Sequence, residues 1–245
     1  MKTIALALLA LLLAGCAKFP GGASAGNNTR VKFTMTVAGV IKPNYIYVVA
    51  IRWAKNNPPF DQNRGPIPVI ASPWGNGIVA GRANVYMIWD AFQSPNYQMR
   101  RFTDPIPDDQ FPVDGQAYLT NKVVEAPPLN YTDVTESSHT LEFELDMSQI
   151  AASTGDIPLI RNLQINFLTM DRIPQGSDGG SKFWDALGAG SSPSEIDRFI
   201  TIPVDRNGMY VNGSGGNPDA VNEISGDVQD PDLDIVNWSV QVTRP

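Results

Sequence analysis

"HTLEFELD", residues 139–146, alternates without a break. Leu141, Phe143 and Leu145 fall on one side of an extended chain, and Thr140, Glu142, Glu144 and Asp146 on the other. Successive side chains of a strand point to opposite faces, so this pattern specifies a strand with one apolar and one solvated face. An amphipathic helix would need its apolar residues three and four apart. "RVKFTMTVAG" (30–39) repeats the pattern, with Val31, Phe33, Met35 and Val37 set against Arg30, Lys32, Thr34 and Thr36.

The same period extends along the chain. "YIYVVAIRW" (45–53) is β-branched and aromatic on both faces, as in a central strand. "GIVAGRANVYMIWD" (77–90), "LQINFLTMD" (163–171), "RFITIPVD" (198–205) and "DIVNWSVQVT" (234–243) are further strand candidates. The chain holds 21 glycines and 20 prolines, enough to punctuate many short strands. These features predict an all-β fold, an antiparallel β-sandwich of immunoglobulin-like or jelly-roll-like type, as one domain over residues 30–245. Only "DMSQIAA" (146–152) and "SKFWDALG" (181–188) read as short helices.

"IPVIASPWGNGIVAG" (67–81) carries Asn76-Gly77, a strong signal for a two-residue hairpin turn. Its arms are expected at 67–72 and 78–89. Pro66, Pro68 and Pro73 cannot donate to a ladder, which places the first arm at a sheet edge. Trp74 then sits beside the tip. Its ring either folds back to cap the core, the favoured reading, or stands out as a platform for a ligand.

Catalytic signatures are missing from the sequence. His139 is the sole histidine and reads as a surface residue at a strand start. There is no H-E-x-x-H and no phosphate-binding loop. Carboxylates are the abundant reactive type, and a facing pair would suffice for a polysaccharide hydrolase. They also suit calcium, which takes oxygen ligands. Asp230, Asp232 and Asp234 match the start of an EF-hand loop, but Ile235 stands where glycine belongs and Gln241 where a glutamate belongs. Calcium is therefore a candidate only, and no other cofactor is expected. For a glycan or protein ligand the candidate residues are Trp74, Asn76, Asp178, Trp184 and Asp185, because both tryptophans lie in glycine-rich segments. Trp53, Trp89 and Trp238 lie in strands and are expected in the core.

The first residues, MKTIALALLALLLAGCAKF, combine Lys2 with an apolar run from Ile4 to Leu13. That run is shorter than the roughly 20 residues a membrane span requires and suits a secretory signal. Leu13-Ala14-Gly15-Cys16 resembles the lipobox of bacterial lipoproteins; the resemblance covers residues 1–16 alone. It implies a signal peptide over 1–15, acylation of Cys16, and a lipid anchor in the cell envelope. Ala17, where an aspartate would retain the protein in the inner membrane, implies the outer membrane if the bacterium has one. Cys16 is the only cysteine, so a lipidated chain has no disulfide. Residues 16–29 are rich in glycine and small polar residues and read as a flexible tether.

Loss of residues 1–15 removes Lys2 and no acid, taking the net charge from −7 to −8. That balance argues against nucleic acid as a partner. The expected function is a lipid-anchored envelope module, binding or structural, whose partner is a glycan or an envelope protein. Two alternatives remain: a subunit of a surface or export assembly without a small ligand, and a carboxylate-based hydrolase of polysaccharide.

Overall fold

The computed structural model describes residues 28–55, 65–68, 77–102, 122–173, 182–188, 198–213, 223 and 225–245. Within them the chain forms β1 (Arg30–Val37), β2 (Ile46–Ala54), β3 (Pro66–Pro68), β4 (Val79–Gly81), β5 (Val85–Trp89), β6 (Tyr97–Phe102) and β7 (Lys122–Val124). There follow β8 (Asn130–Tyr131), β9 (Thr140–Asp146), α1 (Met147–Ile150), β10 (Asn162–Met170), β11 (Trp184–Ala186), β12 (Ile200–Pro203), β13 (Gly208–Val211) and β14 (Ile235–Thr243). The fold is an all-β sandwich. One sheet runs β13-β14-β1-β9-β8, the other β11-β10-β2-β5-β6-β7 with β12 also on β10, and β3-β4 form a separate pair.

The alternation read from 139–146 and 30–37 is the alternation observed. Phe33 pairs with Phe143 across β1 and β9, and their rings stack at 5.1 Å. Their outward neighbours pair as charges: Lys32 Nζ lies 2.9 Å from Glu142, and Arg30 lies 3.6 Å from Glu144. The inward residues of both sheets meet in one core. Phe167 stacks on Trp238, and Tyr97 tilts against Phe143.

The second sheet differs, because its outer face is also covered. Val48, Ala50, Tyr86, Ile88, Leu168 and Met170 point away from the main core into a smaller one, closed by Ile78, Val79 and Trp184. Consequently all nine residues of β10 are buried. The buried amides on its outer side are used as ties. Asn166 Nδ2 donates to the carbonyls of Pro66 (3.0 Å) and Arg198 (2.8 Å), and its Oδ1 accepts from Leu187 N (3.2 Å). Arg52 donates to Gln164 Oε1 at 2.7 Å.

Two expectations are corrected. The run 77–90 is not one strand: it breaks after Gly81, whose φ of +70° turns the chain, and yields β4 and β5. Its pairing with the proline-bearing β3 is antiparallel, and the pair stands apart from both large sheets, as the missing proline donors require. The helix expected over 181–188 is not formed at the described residues, 182–188. Trp184, Asp185 and Ala186 extend as β11 because β10 offers them a free edge, pairing Met170 with Trp184 and Leu168 with Ala186. Tertiary pairing overrides a weak helical preference there. The other short helix is present as α1, closed by an Asp146–Gln149 capping box.

Replacing Asn166 by leucine keeps the number and branching of the side-chain heavy atoms but strands one N–H and two carbonyls. Each buried unpaired group costs about 1–3 kcal/mol, so Asn166→Leu should lower the free energy of unfolding by roughly 3 kcal/mol or more. Phe92→Ala, at a side chain 78% exposed, should change it by less than about 0.5 kcal/mol. Urea denaturation of both variants checks the comparison.

Candidate functional site

β11 is the edge of the second sheet, and its alternation decides what Asp185 does. Trp184 and Ala186 enter the smaller core, so Asp185 between them turns the opposite way, towards the start of β14. It is fully buried. Its Oδ1 accepts from Ala186 N at 2.8 Å, and its Oδ2 accepts from Ile235 N at 2.7 Å. The second bond crosses from one sheet to the other.

Three more acids gather at this seam. A carboxylate oxygen from each of Asp185, Asp227 and Asp234 lies within 4.8 Å of the others. Asp234 is 2% exposed; its Oδ2 accepts from Gly226 N at 2.8 Å, and its Oδ1 has no partner. Gly226 reaches it with φ +92°, a backbone that favours glycine. Glu223 is buried, and its Oε1 accepts from Gly188 N while Oε2 has no partner. The Asn212 side chain clamps the Glu223 backbone from both sides, at 2.8 and 3.0 Å. Asp227 is half-buried, with Oδ1 unpartnered.

Burial is the main force on these groups. It pushes the Asp185 carboxyl up to about 8, helped by the charges of Asp227 and Asp234 and opposed by the two backbone N–H groups. It pushes Glu223 up to about 9, helped first by the charge of Asp185. Asp227 is raised by burial and by its contact with Asp234. Oxygen is the only donor type in the cluster, so it can share protons or hold a hard cation.

The structure disperses the other candidates. Asp230 and Asp232 do not converge with Asp234. Asp230 accepts from the Tyr45 hydroxyl at 2.7 Å, and Asp232 accepts from Val40 N at 2.7 Å and pairs with Lys42 at 3.2 Å. These bonds fasten the 230–234 turn to the loop after β1, and Gly39 is glycine because a Cβ would strike that turn. The EF-hand-like spacing therefore serves a turn. Trp184 is corrected from ligand platform to core: it is 6% exposed and belongs to the smaller core with Ile78 and Val79. Cys16, Trp74, Asn76 and Asp178 lie outside the described residues. Trp89 and Trp238 are buried, Trp53 is half-buried, and His139 is exposed.

Glu223 and Asp227 were not singled out from the sequence. Asp227 lies inside "GDVQDPDLD" (226–234), the acidic segment already of interest, but nothing local separates it from its neighbours. A shallow groove on the outer face of the first sheet also carries two acids, Glu142 and Glu144, but both face cations. No protein-family model matches the chain, and no curated protein or solved structure matches it.

The raised carboxyls fix a sign. In the unfolded chain both ionise near 4, whereas the folded protein holds Asp185 and Glu223 protonated to about 8 and about 9. Between those limits the folded state binds the extra protons, so stability falls as pH rises. In chelator, the unfolding free energy should decline from about pH 5 to about pH 9. Glu223→Gln, which keeps the acceptor for Gly188 N, should flatten that decline by up to about 1.4 kcal/mol per pH unit. Urea midpoints across the pH range provide the measurement.

Proposed function

We propose that the chain is a lipid-anchored module of the bacterial cell envelope, tethered through Cys16, that presents one end of its sandwich to a glycan or an envelope protein. Where the bacterium has two membranes, the anchor belongs in the outer one. The observation that carries the reading is the direction of the first strand. Arg30 pairs with Thr243, so whatever precedes residue 28 enters at the end where β14 finishes. The loops after β1, between β5 and β6, and before β9 and β14 gather at the opposite end: Val37 N donates to His139 O, and Gly39 N to Pro231 O. A tether at residues 16–29 would therefore hold that far end outward.

Two large apolar side chains stand exposed there. Phe92, in the β5–β6 loop, is 78% exposed, and Phe183, just before β11, is 59% exposed. Exposed aromatic rings suit stacking on sugars or burial in a protein partner. β1 also has ladders on both sides, with β14 and β9, so a pull at its start loads two rows of hydrogen bonds together. The edges of its sheet are the short strands β8 and β13, which disfavours assembly by strand addition.

The anchor is tested in cells. Cys16→Ala should abolish incorporation of labelled fatty acid and move the protein from the membrane to the soluble fraction. Undiminished labelling would refute the anchor. The far end is tested separately with the Phe92→Ala, Phe183→Ala double variant on a glycan array. A signal lost at an unchanged melting temperature supports the glycan. A signal equal to that of the unmodified protein excludes these rings.

A further inference from the structure

We propose that Asp185, Asp227 and Asp234 bind one divalent cation, with calcium the best fit, and that the ion joins the two sheets at the seam between β11 and β14. The site is independent of the anchor and of any envelope partner.

The spacing fits a single ion. Calcium holds oxygen ligands at about 2.3–2.6 Å, so two oxygens on one ion can be no more than about 5 Å apart. The three carboxylates meet that limit, with oxygens within 4.8 Å of one another.

The unused valences point the same way. Asp234 is 98% buried, since only 2% of it is exposed, yet Oδ1 has no hydrogen-bond partner. Asp227 Oδ1 and Glu223 Oε2 are likewise unpartnered. None of the four acids forms an ion pair with a described residue. Four acids at one seam without a counter-charge among the described residues are costly, because an uncompensated buried charge loses its hydration. Protons can neutralise some of them where no ion is bound, and metal binding at carboxylates releases such protons. Both Asp185 oxygens accept backbone N–H bonds, an arrangement that suits the ionised carboxylate and leaves each oxygen a further lone pair for an ion. A cation supplies the missing charge without breaking either bond.

The ligands are also held in place before the ion arrives. Asp234 is fixed by Gly226 N, Asp185 by Ala186 N and Ile235 N, and neighbouring Glu223 by Gly188 N and the Asn212 clamp. Bonds of this kind orient the donors and tune the metal. Asp227 is only half-buried and gives the ion and its remaining waters a way in. The donor set selects the ion class: carboxylates without imidazole or thiolate favour hard cations. Magnesium keeps several of its waters and demands a near-octahedral shell, whereas calcium accepts irregular shells of six to eight oxygens.

The test uses the purified protein, stripped with chelator and dialysed, then titrated calorimetrically with calcium chloride and, separately, magnesium chloride. Calcium should bind once per chain, saturating at or below about 1 mM, the range of extracellular calcium modules, and should raise the melting temperature as its concentration rises. Magnesium should bind more weakly. Asp234→Asn keeps the acceptor for Gly226 N and replaces the free oxygen with an amide nitrogen; it should abolish the binding heat. Asp227→Asn, at a half-buried position that tolerates change, should do the same, and circular dichroism confirms that each variant is folded. Glu223→Gln should weaken binding by roughly 10–100-fold. Glu136→Gln, at an exposed acid, should bind as the unmodified protein does. The proposal is overturned if the unmodified protein gives no heat and no melting shift at about 10 mM calcium, ten times the weakest such module. It is equally overturned if the folded Asp227→Asn and Asp234→Asn variants bind calcium undiminished.

Discussion

β10 is buried along its whole length and on both faces, and the rest of the molecule is arranged around that constraint. A strand so placed must satisfy every polar group within the protein. Its backbone does so through β2 on one side and through β12 and β11 on the other. Its inward side chains, Leu163, Ile165 and Phe167, fill the sandwich core. Of its outward amides, Asn166 holds three groups of the segments that cover it, while Gln164 accepts from Arg52 of β2 and its Nε2 has no partner.

The acidic seam is a consequence of that covering. Asn166 fixes Leu187, and the next backbone N–H, that of Gly188, holds Glu223. β11 meanwhile turns Asp185 across to Ile235 on the facing sheet. The groups that complete the second layer thus also bring acids into a place where their charges oppose folding. Apolar side chains there would stabilise the sandwich more simply, since replacing buried charges by well-packed hydrophobic groups is often neutral or favourable. The seam is therefore the part of the molecule whose chemistry its packing alone does not account for.

Several strands were legible because their sequence is a direct image of their environment. β1 and β9 have one wet and one dry face, and their residues alternate accordingly. β6 was not read because Arg100 and Arg101 interrupt its pattern, although Arg101 turns inward and donates to the carbonyls of Gln149 and Ile150. β8 and β13 are too short to carry a period. β11 was read as helix because its three residues are too few to carry a period, Asp185 and Ala186 disfavour strands, and the edge that recruits it is remote in sequence.

The all-β class, the inward and outward faces of the longest strands, and the limit of one imidazole and one thiol are all legible in residue order and count. These follow from local rules: alternation depends on neighbours two residues apart, and composition on nothing but counting. Which acids converge is set by the pairing of segments distant in the chain. Asp230, Asp232 and Asp234 look alike along the chain, yet the turn at 230–234 sends the first two to Tyr45, Val40 and Lys42 and the third to Asp185 and Asp227. Convergence of that kind depends on which edges pair and which turns close, and those are set by contacts between residues far apart in the chain.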